Sequence, residues 1–317
     1  MIVGITGGAG FIGSNLARFL LDQGYEISIL DDLSTGLLSN LNDLNLDFSE
    51  GSITNPDLVL KWMKPLDHVV HLAARGSVPR SIKNPLATYQ VNTFGTFNVL
   101  EAARHLNKPV IFSSSSSVYG ANPSLPKHER DWTQPITPYA ASKLAGEALM
   151  TSYASSYGMR ILTLRFFNVF GPWQRPDHIY AAVIPKWLWS AIDNKPLDVY
   201  GDGTQTRDFT FVSLPCQVIS QYLDSDNRIE GPVNLALGKK IALSQLIDFI
   251  KVKFPQVEIN FVNKRPGDIL HSLNDPKTLL DHFPRLVMPA FTDAVEKTLD
   301  WMLQNRNHFS RIENDQA

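Results

Sequence analysis

A single cysteine, Cys216, stands in 317 residues, which excludes an intramolecular disulfide and any Cys-rich zinc site. Long apolar runs are missing as well: no uncharged stretch approaches the roughly 20 residues of a membrane span. Charge of one sign is not in excess, since 29 Lys and Arg face 31 Asp and Glu for a formal net charge of −2. That balance argues against a nucleic-acid binder, whose affinity rests on many basic phosphate contacts. Met1–Thr6 lacks the basic start of a signal peptide, so a reducing, cytoplasmic setting is expected. No internal repeat is present, and Ser113–Ser117 is the one low-complexity stretch. His68 and His71 are three apart in a β-rich run, which sends them to opposite faces and makes them structural histidines rather than a metal pair; no metal is expected. Cys216 reads as a small core residue, and the aromatics of Trp187–Trp189 as core.

What is present is an alternation. Met1–Ile5, Glu26–Leu30, His68–Ala73, Pro109–Phe112 and Arg160–Phe166 read as strands, and Phe11–Gln23, Ala87–Leu106 and Pro138–Tyr157 as helices. This rhythm predicts an α/β protein with a doubly wound, Rossmann-type parallel sheet. From Asn168 the rhythm breaks at Pro172, Pro176, Pro185, Pro196 and Gly201-Asp202-Gly203. A smaller, irregular C-terminal unit is therefore expected.

Between the first strand and first helix lies Thr6-Gly7-Gly8-Ala9-Gly10-Phe11-Ile12-Gly13. Gly7 suits a tight turn, Gly10 lets the backbone approach a diphosphate, and Gly13 lets the helix pack on the strand. The helix start then offers free N–H groups and partial positive charge. Asp31 ends the next strand 18 residues beyond Gly13, where an acid accepts from an adenosine ribose and repels a 2′-phosphate, favouring NAD over NADP. Asp32 is the neighbouring alternative, set aside because an extended strand points it the other way.

Tyr139 and Lys143 stand four apart on a helical segment, hence on one face. A close cation and an oxidised nicotinamide both favour the phenolate, which makes Tyr139 a candidate base near neutrality. Ser113–Ser117 follows the strand ending at Phe112, at the sheet end where α/β folds place ligands. Ser115 is a candidate hydrogen-bond donor there.

With these residues the chain resembles the extended short-chain dehydrogenases/reductases, and within them the nucleotide-sugar 4-epimerases. The resemblance also rests on Leu33–Gly36, His71–Ala74, Val91-Asn92, Val118–Gly120, Arg165–Pro172, Arg207–Phe209 and Arg265–Asp268. It implies NAD as cofactor, a UDP-sugar as substrate, and a homodimer formed by pairing 87–106 and 138–157 in a four-helix bundle. Residues 1–166 would hold NAD, with 209–236 returning to that unit, and 167–317 would mainly hold the UDP-sugar. Catalysis would rest on Tyr139, Lys143 and Ser115. NAD contacts would come from Gly7, Gly10, Phe11, Ile12, Gly13, Asp31, Ser52, Ile53, Leu72, Ala73, Ala74, Asn92, Tyr139 and Lys143. Ser52-Ile53 departs from the family's usual Asp-Ile near adenine, and the charge of Arg75 is without a reading.

Asn168, Arg207, Arg265 and Asp268 are implied to hold the UDP portion, and guanidinium forks suit phosphate. Dehydratase relatives carry an acid before the Val-Tyr-Gly turn. Here Ser115, Ser116 and Ser117 fill that place, which favours epimerisation. Ser272 stands where epimerases restricted to plain hexoses carry Tyr. Gly76, Ser77, Gln174, Ala182 and Val183 resemble the subgroup preferring N-acetylated sugars, so UDP-GlcNAc/UDP-GalNAc interconversion is the expected activity, with UDP-glucose/UDP-galactose as further substrates. Two alternatives stay open: a UDP-glucuronate 4-epimerase, suggested by Gln174–Asp177 with Arg175 facing a carboxylate, and a non-catalytic nucleotide sensor.

Overall fold

A computed structural model describes residues 1–176, 182–263, 271–306 and 308. In chain order the first half contains β1 (Ile2–Thr6), α1 (Phe11–Asp22), β2 (Glu26–Asp31), β3 (Asp47–Glu50), α2 (Pro56–Met63), β4 (His68–His71), α3 (Val78–Lys83), α4 (Pro85–Tyr89), α5 (Thr96–Leu106), β5 (Val110–Ser115), α6 (Pro138–Tyr157) and β6 (Ile161–Phe166). The second half contains β7 (Val169–Phe170), α7 (Val183–Ile192), β8 (Leu197–Tyr200), β9 (Thr206–Arg207), β10 (Thr210–Phe211), α8 (Ser213–Leu223), β11 (Pro232–Leu235), β12 (Ile241–Ala242), α9 (Leu243–Lys253), β13 (Ile259–Val262), α10 (Lys277–His282) and α11 (Phe291–Gln304).

Seven strands form one sheet in the order β11-β6-β5-β4-β1-β2-β3, and every pair is parallel. Buried runs such as Val3–Thr6 and Val110–Ser115 explain this: helices cover both faces, so apolar residues need not alternate with polar ones. The strand order reverses between β1 and β4, and ligand crevices open at such a switch point. One face packs α1 and α8 in a cluster with Leu16, Leu20, Val218 and Tyr222. The other packs α2, α5 and α6 with Trp62, Leu100, Phe112 and Met150.

Helix α6 is set by local chemistry. Thr137 accepts from the Ala140 N–H at 3.2 Å, Pro138 occupies the first turn, and Gly158 ends the helix at φ 65°, each a known end signal. Gly146 lets α6 lie against β5, since a Cβ there would sit 2.5 Å from the Phe112 ring. The expected helix over 87–106 is instead α4, a π-helical segment Gln90–Gly95 and α5. The strand expected to end at Phe112 runs on to Ser115, so the serine run begins inside the sheet.

The second half builds a smaller unit around Trp187, Leu188, Leu246, Ile250, Val295 and Leu299, with its own two-stranded pairings. Cys216 is buried in the first cluster, and its thiol is pushed up to about 12 by burial. No described helix is long and apolar enough to cross a membrane.

Candidate active site

A cleft of about 540 Å³ opens over the switch point. Its floor is the glycine turn. Gly7 has φ 72°, and a Cβ there would lie 2.7 Å from the Ala73 N. A Cβ on Gly13 would lie 2.4 Å from the Gly7 carbonyl oxygen, so any larger residue would push α1 off the turn. Gly10 starts α1 with no side-chain cap and no acid in the first turn, which leaves the helix-start N–H groups for a ligand. This bare cradle fits a dinucleotide diphosphate.

Asp31 is buried, and its two carboxylate oxygens each accept a backbone N–H, from Ala9 and Leu33, both at 2.9 Å. Burial raises its pKa, with both bonds opposing the rise. Strand β2 ends at Asp31, so alternation does not govern the next residue: Asp31 and Asp32 both line the cleft. Phe11, Ile12, Ile53, Leu72, Ala73 and Ala74 also line it. Ser52 does not; its Oγ accepts from the Thr54 N–H at 3.3 Å and closes a local turn. Asn92 sits behind the wall, 2 % exposed, bonded to the Arg75 main chain and Ser142.

Tyr139, Lys143 and Ser115 share the same cleft with the glycine turn. The Lys143 ammonium donates to the Ser113 carbonyl at 2.7 Å. Burial brings its pKa down to about 8, opposed by the Glu147 carboxylate. Burial raises the Tyr139 phenol, and the Ser115 side chain facing it opposes that rise. Burial thus dominates at the Tyr139 phenol, while the Lys143 ammonium is engaged with the Ser113 carbonyl on the strand. Ser115 Oγ lies 3.1 Å from Ser117 Oγ and accepts the Ser117 N–H at 3.2 Å. Ser116 and Ser117 form the 3-10 turn beyond β5 and are not wall residues.

Behind this wall lies a network that sequence reasoning missed. Glu147 takes two hydrogen bonds from Arg165, at 2.9 and 2.8 Å, and one from Ser114 Oγ. Its signal was local, since residues four apart share a helix face, but its partners come from β5 and β6. His71 bridges Thr6 Oγ1 at 2.7 Å and Thr96 Oγ1 at 2.9 Å, and burial takes it to about 3, hence neutral. No metal-binding cluster occurs among the described residues.

Gly76, Ser77 and Gln174 line the same cleft, and Asn168 joins it to a second hollow of about 280 Å³. Ala182, Val183, Trp187 and Arg207 line that hollow. A Cβ on Gly76 would meet nothing within 4 Å. Gln174 donates to the Val169 carbonyl at 3.2 Å, while its Oε1 is buried without a partner among the described residues. Ser272 is not on either wall; its N–H donates to the Thr206 carbonyl at 3.1 Å. Arg265 and Asp268 lie outside the described residues.

Residues 3–237 match the model of the NAD dependent epimerase/dehydratase family, and the chain belongs to that family. A UDP-glucuronate 4-epimerase of Thermodesulfobacterium geofontis is 32% identical over 320 residues, covering 95% of this chain and 96% of its relative. Among solved structures, a UDP-N-acetylglucosamine 4-epimerase from Methanobrevibacter ruminantium M1, in complex with UDP-N-acetylmuramic acid, superposes with TM-score 0.89 at 37% identity over 95% of this chain and 98% of that one. A UDP-glucose 4-epimerase from Thermotoga maritima gives TM-score 0.91 at 27% identity, over 96% and 100%. The chain is thus similar throughout to UDP-sugar 4-epimerases of the extended short-chain dehydrogenase/reductase group, with the Rossmann-type sheet expected from its sequence.

Proposed function

We propose that the chain is a UDP-sugar 4-epimerase that retains NAD and interconverts UDP-GlcNAc and UDP-GalNAc. The observation that carries the reaction is the meeting of Tyr139, Ser115 and the bare glycine cradle in one cleft. Bound oxidised NAD supplies a reversible hydride acceptor and a positive ring charge. Tyr139 takes the proton of the sugar 4-hydroxyl, and Ser115 donates to that oxygen as it becomes a carbonyl. The positive charge offsets the burial that raises the phenol. Lys143, anchored on Ser113, holds the nicotinamide-side ribose. After the 4-keto sugar turns over, the hydride would return to the opposite face of C4 while Tyr139 returns the proton to the oxygen. Ser115, Ser116 and Ser117 carry no carboxyl to eliminate water, which favours epimerisation over dehydration.

Two features support an N-acetylated sugar. Gly76 leaves open space, and Gln174 on the same wall carries an amide of the kind that pairs with an acetamido group. The second reading, an acidic sugar, is supported by Arg175 on the same wall. Incubation with UDP-GlcNAc, UDP-glucose and UDP-glucuronate without added reductant, followed by chromatography, tests both. Conversion of UDP-GlcNAc is expected, and conversion of UDP-glucuronate alone would reverse the choice. Folded Tyr139→Phe should lose about 10²–10⁴-fold in rate; normal turnover would remove the assigned base. We also propose a homodimer through the α4–α6 face.

A further inference from the structure

One cation on the cleft wall is used neither by the fold nor by the proposed proton transfer. Arg75 follows the loop after β4. Its N–H donates to Asn92 Oδ1 at 2.7 Å, and its carbonyl accepts from Asn92 Nδ2 at 3.3 Å. Asn92 also donates to Ser142 Oγ at 2.9 Å, beside Lys143 on α6. The main chain at Arg75 is therefore pinned to the catalytic helix. Its guanidinium is not: it makes no hydrogen bond or ion pair with a described residue.

The acids of the same wall are already engaged. Asp31 accepts from Ala9 and Leu33, and Asp32 from Ser34. Two residues before Arg75, Ala73 packs on the Gly7 turn, while Gly76 just after it borders open space. Arg75 thus lies on the cleft wall between the residue packed on the Gly7 turn and the open space at Gly76. A guanidinium carries five donors in a rigid fork suited to phosphate or carboxylate. The pinned main chain fixes where the fork starts, and the fork has its donors available for an anion.

We propose that Arg75 is an anion-binding residue of this cleft, gripping phosphate or carboxylate oxygens of the bound nucleotides. The oxygens can come from the dinucleotide diphosphate, from the phosphates of the sugar nucleotide, or from an acid on the sugar. Only the last two rest on the epimerase reading. The test uses Arg75→Gln and Arg75→Lys, with dissociation constants measured calorimetrically for NAD, UDP-GlcNAc and UDP-glucuronate.

Arg75→Gln should weaken at least one of these by about tenfold or more, and Arg75→Lys should restore much of the loss. Loss confined to NAD marks the dinucleotide diphosphate. Equal loss for both sugars marks their phosphates, and loss confined to UDP-glucuronate marks the sugar acid. All three constants within about twofold of wild type, in a Gln variant with an unchanged melting curve, would overturn the proposal. Because the readout is binding, a chain that turns over no sugar still tests Arg75, and that failure counts against the epimerase reading alone.

Discussion

Glu147 lies one helical turn beyond Lys143 and reaches three elements at once: α6 carries it, β5 offers Ser114, and β6 offers Arg165. The pair is buried on both sides, so removing one charge leaves the other without water or partner. Glu147→Gln should cost about 3–5 kcal/mol in urea unfolding; a loss under about 1 kcal/mol would make the pair incidental. Lys143 gives a pH signature. Its folded pKa of about 8 is below the ordinary 10.5, so between these values the unfolded chain holds more protons. Stability relative to Lys143→Met should therefore rise with pH across that window, and parallel denaturation midpoints of the two proteins at pH 7 and 10 would refute it. At this scale the glycines, Asp31 and the Tyr139–Lys143 spacing were legible because their geometry is local. The roles of Glu147, the carbonyl anchor of Lys143 and the retreat of Ser52 into a turn were not, because each depends on a partner chosen by the fold.

Elements carry their own information. Leu86, Tyr89, Phe94 and Phe97 are all exposed apolar residues on the α4–α5 rod, with Phe94 65% exposed. Their steps are three, five and three residues. The five-residue step spans the π-helical segment Gln90–Gly95, whose wider turn keeps the stripe on one face. Tyr157 at the end of the neighbouring α6 is exposed too. A stripe of this kind, unpaid by burial, suits the same surface of a second copy about a two-fold axis. The double variant Phe94→Glu, Phe97→Glu should sediment as a monomer where wild type sediments as a dimer; a monomeric wild type would end the proposal. The helix over 87–106 was legible as a period, but its π segment was not, because nothing in propensity marks an extra residue per turn.

For the whole molecule, the near-neutral charge is compatible with the proposed anionic ligands, because a bare helix start and a few arginines would suffice to meet them locally. Strand β3 escaped the sequence reading, and β11 was expected only as part of the segment 209–236 returning to the first unit, not as a strand: Asp47–Glu50 is mostly polar, and Pro232–Leu235 is short and begins with proline. Yet β11 closes the sheet beside β6 after an excursion through the smaller unit. An excised 1–166 fragment therefore lacks an edge strand and should associate or aggregate in light scattering, because an open edge invites pairing; a soluble monomeric fragment with a cooperative melt would refute this.

That late strand also orders events in time. During synthesis the β6 edge emerges long before Pro232–Leu235 can reach it, so the nascent chain carries an unfinished sheet while the intervening segment is made. The residues of the cofactor cradle are all made sooner. A dinucleotide that binds the folded cradle would stabilise whatever fraction of the growing polypeptide has formed it, and so favour the native sheet before its last edge strand arrives.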